Sequence, residues 1–372
     1  MSKARSARTR FGTRGALLLA VSLSLVLTAC GSGPATAPAT SAGIDPNLGG
    51  DAAWQEIVTK ANAEGTVVLY SANDQDAATL PAAFNASYPG IKLEVDHFAS
   101  GALTAKLDAE AGGGTGADVA THSSRAWWQA NVARLAPIAG PAIPKYLSGS
   151  PDVYGDKQYA LIAANPLGVA VNTNRLKELG AQPIASYKDL LQPALKDNLG
   201  IVPGEGSPAA EQWWFYAAQQ LGGQAGLTQL AALNPRLYRS GTTPLATDVA
   251  SGEIAVGFYA TRASVDALKA KGAPVEFLPI EPAIGIGGYI GVVGKTHPNA
   301  AQVLANWMLS PAGQAVLSKG GILTPLSPDV LGSAGSGAKQ ITPDVHVTDG
   351  ILTPEQDSFY RTQMLPTLVT GR

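Results

Sequence analysis

Five times in this chain a strand-like run ends in a short loop of small polar residues that opens a helical pattern. The β-branched run Thr66–Ser71 passes through Ser71-Ala72-Asn73-Asp74 into a stripe of Leu80, Ala83, Phe84 and Ser87, with Thr79 as the expected cap and Pro81 in the first turn. Ile91–Phe98 alternates as a strand, and Ser100-Gly101 precedes a helix carrying Leu103, Leu107 and Ala111. Ala117–Thr121 leads through Ser123-Ser124 into Arg125–Ala130 with its pair Trp127 and Trp128. Leu199–Pro203 leads through Gly204-Glu205-Gly206-Ser207 into a helix from Ala209 that holds Trp213 and Trp214. The fifth edge follows Ile254–Tyr259, where Tyr259 and Arg262 precede a helix ending near Lys271. Strands that alternate with helices predict an α/β fold with a mainly parallel sheet. Ligands of such sheets lie beyond the carboxyl ends of the strands, where helix starts offer unpaired N–H groups suited to anions.

The remainder of the body continues the alternation. Tyr159–Ala164 and Gly168–Val171 read as two strands, Val275–Ile280 as another, and Ile284–Val293 as an apolar crossover strand whose glycines permit close backbone approach. Ala301, Leu304, Ala305, Met308 and Leu309 form a helix stripe. The next helix has Ser310 as cap and Pro311 in its first position, and it stops at Gly320-Gly321. A loop after Gly332 precedes a last helix near Pro354–Leu365 that should dock back on the body.

Before this body stand a basic stretch to Arg14, an apolar run Ala16–Ala29, and Leu27-Thr28-Ala29-Cys30. The run is shorter than the roughly 20 residues a spanning helix needs, so it reads as an export signal over 1–29. Residues 30–50 lack an apolar period and read as a flexible tether. Five basic groups precede Cys30; the 21 basic and 28 acidic groups that remain leave the body at −7. That balance gives no footprint for nucleic acid. The single Cys in 372 residues cannot form an internal disulfide.

Catalytic patterns are sparse. Gly206-Ser207-Pro208 only imitates the middle of a nucleophile elbow, and the glycines of 285–291 are not spaced as a dinucleotide fingerprint. His97, His122, His297 and His346 are scattered without helical pairing, so neither a metal site nor a cofactor is expected. His97 and His122 end strands and are expected to be structural, and the four tryptophans to be mostly core.

From about Glu64 to Gly320 the chain resembles a type II periplasmic solute-binding protein of a bacterial ABC importer, in the branch of ferric-ion and aminoethylphosphonate binders. The resemblance is carried by Gly65-Thr-Val-Val-Leu-Tyr-Ser71, Gly116-Ala-Asp-Val-Ala120, Gly168-Val-Ala-Val-Asn-Thr173 and Val249-Ala-Ser-Gly-Glu-Ile-Ala-Val256. It continues in His297-Pro-Asn-Ala-Ala-Gln-Val-Leu304 and Leu309-Ser-Pro-Ala-Gly-Gln314. Leu27–Cys30 looks like a bacterial lipobox, which implies cleavage before Cys30, its acylation, and retention on the outer face of the cytoplasmic membrane in a Gram-positive arrangement.

The resemblance implies two lobes, 51–163 plus 287–372 and 164–286, joined by hinge strands around a ligand cleft. It also implies a monomer that delivers its solute to a permease and an ATPase, with no reaction catalysed. It places an accessory anion at Ser207, Pro208 and Ala209, sets Asn73 where ferric binders carry a histidine, and puts the iron-gripping tandem tyrosines at Arg262 and Ala263. Ferric iron needs hard anionic oxygens, and an arginine repels it, so the expected guest is a phosphonate, phosphate ester or carboxylate. The residues expected to hold it are Ser71, Asn73, Ser100, Gly101, Ser123, Ser124, Ser207, Ala209, Tyr259, Arg262 and Tyr289. Two alternatives stand beside this reading: a ferric-iron binder, and an extracellular hydrolase on the same scaffold.

Overall fold

The structure is a computed structural model that describes residues 50–73, 75–110, 116–142, 154–155, 158–326 and 339–370. The export signal, Cys30 and most of the tether lie outside the described residues, as does Asp74.

Helix α1 (Ala52–Glu64) starts where the Asp51 carboxylate accepts the Trp54 N–H and ends on Gly65 in the left-handed region. There follow β1 (Thr66–Ser71), α2 (Asp76–Ser87), β2 (Lys92–His97), α3 (Ser100–Glu110), β3 (Val119–His122) and α4 (Arg125–Asn131). After β4 (Tyr154–Gly155) comes the 14-residue strand β5 (Tyr159–Asn172), then α5 (Thr173–Glu178), β6 (Leu199–Ile201), α6 (Pro208–Leu221) and α7 (Gln224–Ala232). The chain continues with β7 (Arg236–Leu237), α8 (Thr242–Ser251), β8 (Val256–Thr261), α9 (Arg262–Lys269), β9 (Val275–Leu278) and β10 (Ile284–Val292). It then forms α10 (Pro298–Met308), α11 (Pro311–Leu317), β11 (Leu323–Thr324), β12 (Lys339–Gln340), β13 (His346–Thr348) and a C-terminal helix from Pro354.

The strand order is β2-β1-β3-β10-β5-β8-β6-β7. β1, β2 and β3 are mutually parallel, as the sequence predicts, whereas β10 runs antiparallel to β3 and β5, and β5 runs antiparallel to β8. These two central strands belong to both halves of the molecule. Ala160 and Ile162 of β5, with Ile290 and Val292 of β10, enter a core built from Trp54, Leu69, Phe84 and Trp307. Leu167–Val171 of β5 and Ile284 of β10 enter a second core around Trp213, Trp214, Leu230 and Phe258. β5 is a single strand rather than the two read from the sequence. Pro166 lies opposite Gly285 of β10, just before the pairing with β8 begins at Leu167, so its missing N–H falls where the strand changes partners.

Two expectations need correction. The family resemblance places the C-terminal helix in the first lobe, yet Phe359, Tyr360, Met364 and Leu368 pack into the second core, and the Tyr360 hydroxyl donates to the Pro203 carbonyl at 2.9 Å. Helix α2 begins at Asp76, three residues before the expected Thr79 cap, and Pro81 lies inside it. The earlier start follows from Asn73, whose side-chain oxygen accepts the Gln75 N–H at 3.1 Å and turns the chain into the helix.

Candidate functional site

The five strand-to-helix edges meet across the line between the two cores. Gly101, in the first turn of α3, faces the Gly206 carbonyl so closely that a Cβ on it would lie 3.4 Å from that oxygen. Ser124, before α4, and Ala209, in α6, both abut Gly350. The start of α2 and the side of α9 border one cavity of about 240 Å³, lined by Asn73, Gln75, Asp76 and Thr79 from one half and Ala263 and Asp266 from the other. Lys319 and Gly320 close its rim. A larger groove of about 500 Å³, between Lys188–Gln192 and the α6–α7 turn, shares no residue with any of the five edges.

Several expected ligand residues are engaged by the protein itself. Ser71 is fully buried; its hydroxyl donates to Asp76 Oδ2 at 2.6 Å and accepts from Asn73 N and from Thr121 Oγ1, each at 3.0 Å. Asn73 donates to the other Asp76 oxygen at 2.9 Å. This knot fixes the α2 start, and the Ser71 hydroxyl is not directed at a guest. Ser124 caps α4 by accepting the Trp127 N–H at 3.3 Å. Ser123 beside it is half-buried, and Ser100 occupies the first position of α3.

Tyr259 is the clearest correction. Between Gly168 opposite Ala260 and Val169 opposite Phe258 the register slips, leaving Tyr259 as the extra residue of a bulge, with φ of +80°. The bulge turns its ring into the second core, 4.7 Å from Trp213 in an edge-to-face contact, instead of toward the cleft. Burial and the nearby Tyr360 push its phenol far above the ordinary range, so it is no candidate phenolate. Tyr289 is also buried, packed edge-to-face on Tyr159 at 6.1 Å beneath the hinge.

Arg262 is the first residue of α9, whose Thr261 cap accepts the Ser264 N–H. Its guanidinium stacks over the Phe277 ring at 4.6 Å and has no acidic partner among the described residues. Ser207 stands at the cap of α6, and its hydroxyl does not bond the helix. In the next turn Glu211 is buried, and desolvation raises its carboxyl above the usual range.

His122 closes the back of the site as a structural residue. Its Nδ1 accepts the Ser124 N–H at 3.0 Å, and Nε2 lies 2.7 Å from Thr104 Oγ1. That hydroxyl already donates to the Ser100 carbonyl, so it receives the Nε2 proton and the imidazole has no lone pair left for base work.

The sequence reading overlooked Arg125, which sits directly after the Ser123-Ser124 pair. Its guanidinium lies beside Tyr159, Tyr289 and Asp349; burial alone would lower its pKa, but these neighbours hold it above the ordinary value. Gln212, one turn into α6 and buried, was also missed. The signal available was position alone, since both residues lie within a turn of a small polar loop.

The family described as bacterial extracellular solute-binding protein matches residues 66–323. Among solved structures, the periplasmic binding protein AfuA from Actinobacillus pleuropneumoniae, with exogenous fructose-6-phosphate bound, is 22% identical. The match covers 82% of this chain and 98% of AfuA at a TM-score of 0.61. The substrate-binding protein of an ABC transporter from Agrobacterium tumefaciens is 15% identical, over 81% of this chain and 95% of that one, with a TM-score of 0.65. Iron-bound HitA from Pseudomonas aeruginosa is 21% identical, over 80% and 98%, with a TM-score of 0.57. This chain belongs to the bacterial extracellular solute-binding proteins, the two-lobed type II solute-binding components of ABC importers.

Proposed function

We propose that this solute-binding protein captures a small anion, such as a phosphonate, phosphate ester or carboxylate, between its two lobes and passes it unaltered to a permease and ATPase. The lobes are taken as 51–163 with 287–326, and 164–286 with the C-terminal helix, with β5 and β10 as the hinge. The observation that carries the reading is Arg262, a guanidinium without an ion pair among the described residues at the start of α9, next in sequence to Ala263, which lines an inter-lobe cavity together with Asn73. The Ser207 hydroxyl, which does not bond the helix it precedes, supplies a polar contact from the second lobe, and Gly101 of the first lobe lies close to the Gly206 carbonyl beside it. Lobe closure would exclude water and strengthen each charge-assisted hydrogen bond, and the closed form is what a permease can recognise. Acylation at Cys30 would hold the protein at the outer face of the membrane.

Native mass spectrometry of protein purified without added ligand, followed by calorimetry with the compound it reveals, tests this reading. A bound anion whose affinity drops in Arg262→Ala supports it; a neutral or cationic guest refutes it. A ferric reading, suggested by the fold it shares with HitA, is disfavoured by Tyr259 turning into the core and by Arg125 beside Tyr159 and Tyr289. A hydrolytic reading is disfavoured by Ser71 and Ser124, whose hydroxyls bond Asp76 and the Trp127 N–H instead of a histidine.

A further inference from the structure

The segment between β13 and the C-terminal helix runs between the lobes and bonds to both. β13 joins β10 in parallel, with His346 opposite Ile284 and Thr348 opposite Ile286, so the next three residues leave the sheet between Ser124 and the start of α6. On the first-lobe side the Asp349 carbonyl accepts the Arg125 N–H at 2.6 Å, and its carboxylate lies 3.8 Å from Arg125 Nη1. On the second-lobe side Gln212 Oε1 accepts the N–H groups of Asp349 and Gly350 at 2.8 and 3.1 Å. Gln212 Nε2 donates to the Ile351 carbonyl at 3.4 Å.

A side chain at position 350 is strained. The φ of Gly350 is +74°, and a Cβ there would lie 3.1 Å from Ser124 Cα and 3.3 Å from Ala209 N. The strap nevertheless leaves Arg125 under-used. Tyr159 hydrogen-bonds the guanidinium, but the Nε of Arg125 is buried without a partner among the described residues, and 3.8 Å is too long for the two-pronged carboxylate pairing that guanidinium favours. A carboxylate between the lobes, faced by a guanidinium and held by amide contacts, presents the same chemistry as the small anion proposed above.

We infer that Asp349-Gly350 is a tethered stand-in for the solute, and that an arriving anion displaces the Asp349 carboxylate and takes Arg125 as its selecting cation. This deepens the anion reading and rests on it. While the strap occupies the space only a fraction of the protein is competent to bind, so apparent affinity falls by that fraction.

The test titrates inorganic phosphate, methylphosphonate and fructose 6-phosphate into the full chain in detergent micelles. Wild type is compared with Asp349→Asn and Gly350→Ala, with amide exchange followed over residues 345–352. Asp349→Asn weakens the strap by removing a charge, and Gly350→Ala by steric conflict alone, so the two variants fail to fold for different reasons if they fail at all. The expected result is that a probe bound by wild type binds both variants at least about tenfold more tightly and accelerates exchange at Asp349 and Gly350 in wild type. Affinity within twofold across the three proteins, with strap exchange unchanged by the bound probe, overturns the strap inference and leaves the anion reading standing. Absence of binding by every probe to all three proteins, together with a neutral or cationic guest in the native mass spectrum, overturns both.

Discussion

Asp118 and His297, 179 positions apart, are joined at 2.9 Å between a carboxylate oxygen and the imidazole Nδ1. The same carboxylate accepts the His297 backbone N–H at 3.0 Å and the Val68 N–H at 2.9 Å. One buried side chain thereby fastens β1 and the loop before β3 to the start of α10.

Asp118→Ala leaves two backbone N–H groups and an imidazole without their acceptor. At about 1–3 kcal/mol for each buried unsatisfied group, the expected loss is roughly 3–5 kcal/mol in urea unfolding. Asp118→Asn keeps one acceptor and should lose about half of that. A loss below about 1 kcal/mol for Asp118→Ala would show that water replaces the carboxylate.

Glu64 plays the matching part at the end of α1. Its carboxylate accepts the Ala300 N–H at 2.7 Å and the Asn299 side-chain amide at 2.6 Å, so it caps α10 from another helix. Glu64→Ala should cost about 1–2 kcal/mol, the range of a lost N-cap, and Glu64→Gln less. Equal stability of Glu64→Ala and wild type in the same urea series would mean the cap is redundant.

Asp118 belongs to a stretch through which the family resemblance could be read, and so does Asn172, which caps α5 and donates to the Val249 carbonyl at 2.9 Å. What the sequence revealed was largely architecture, in apolar periods and caps; it did not mark Asp118 or Asn172 as the carboxylate and amide that tie distant elements together. The convergence of the five edges was legible because sheet topology fixes where strands end. The role of each side chain at those edges was not. Ser71 has the composition of a ligand residue, yet it is neutralised by Asp76, whose approach depends on the α2 start. Tyr259 lies on the right edge, but a one-residue bulge reverses the face its ring occupies, and no period-two pattern reports a bulge. Asp349 was invisible as a cleft residue because its position depends on β13 joining β10 across more than 50 residues of chain.

His122 makes stability depend on pH. Burial pushes its pKa down, against opposing contributions from the Ser100 carbonyl and Asp108. The native state therefore holds the neutral ring while the unfolded chain protonates near 6.5, so stability is complete above that pH and declines as pH falls through it toward the lower native value. His346 is shifted in the same direction, so the contribution of His122 is read as the difference from a variant. Urea unfolding between pH 7.5 and 5 should show a slope up to about 1.4 kcal/mol per pH unit steeper in wild type than in His122→Asn. Parallel slopes would mean the ring protonates in the native protein as readily as in the unfolded chain.

Tyr259 and Arg262 lie three residues apart on one edge and should separate cleanly under mutation. Tyr259→Phe keeps the ring that packs on Trp213, so stability should stay within about 1 kcal/mol. The affinity for the co-purifying solute should not change, because the phenol faces the second core. Arg262→Ala removes a cation whose hydrogen bonds to a charged guest are worth about 1.5–3 kcal/mol, a loss of roughly 10- to 150-fold in affinity. Folding should be little affected, since the only partner of the guanidinium among the described residues is the Phe277 ring. Calorimetry on both variants reads the contrast directly. Loss of binding in Tyr259→Phe with retention in Arg262→Ala would reverse the assignment and move the solute to the aromatic side of β8.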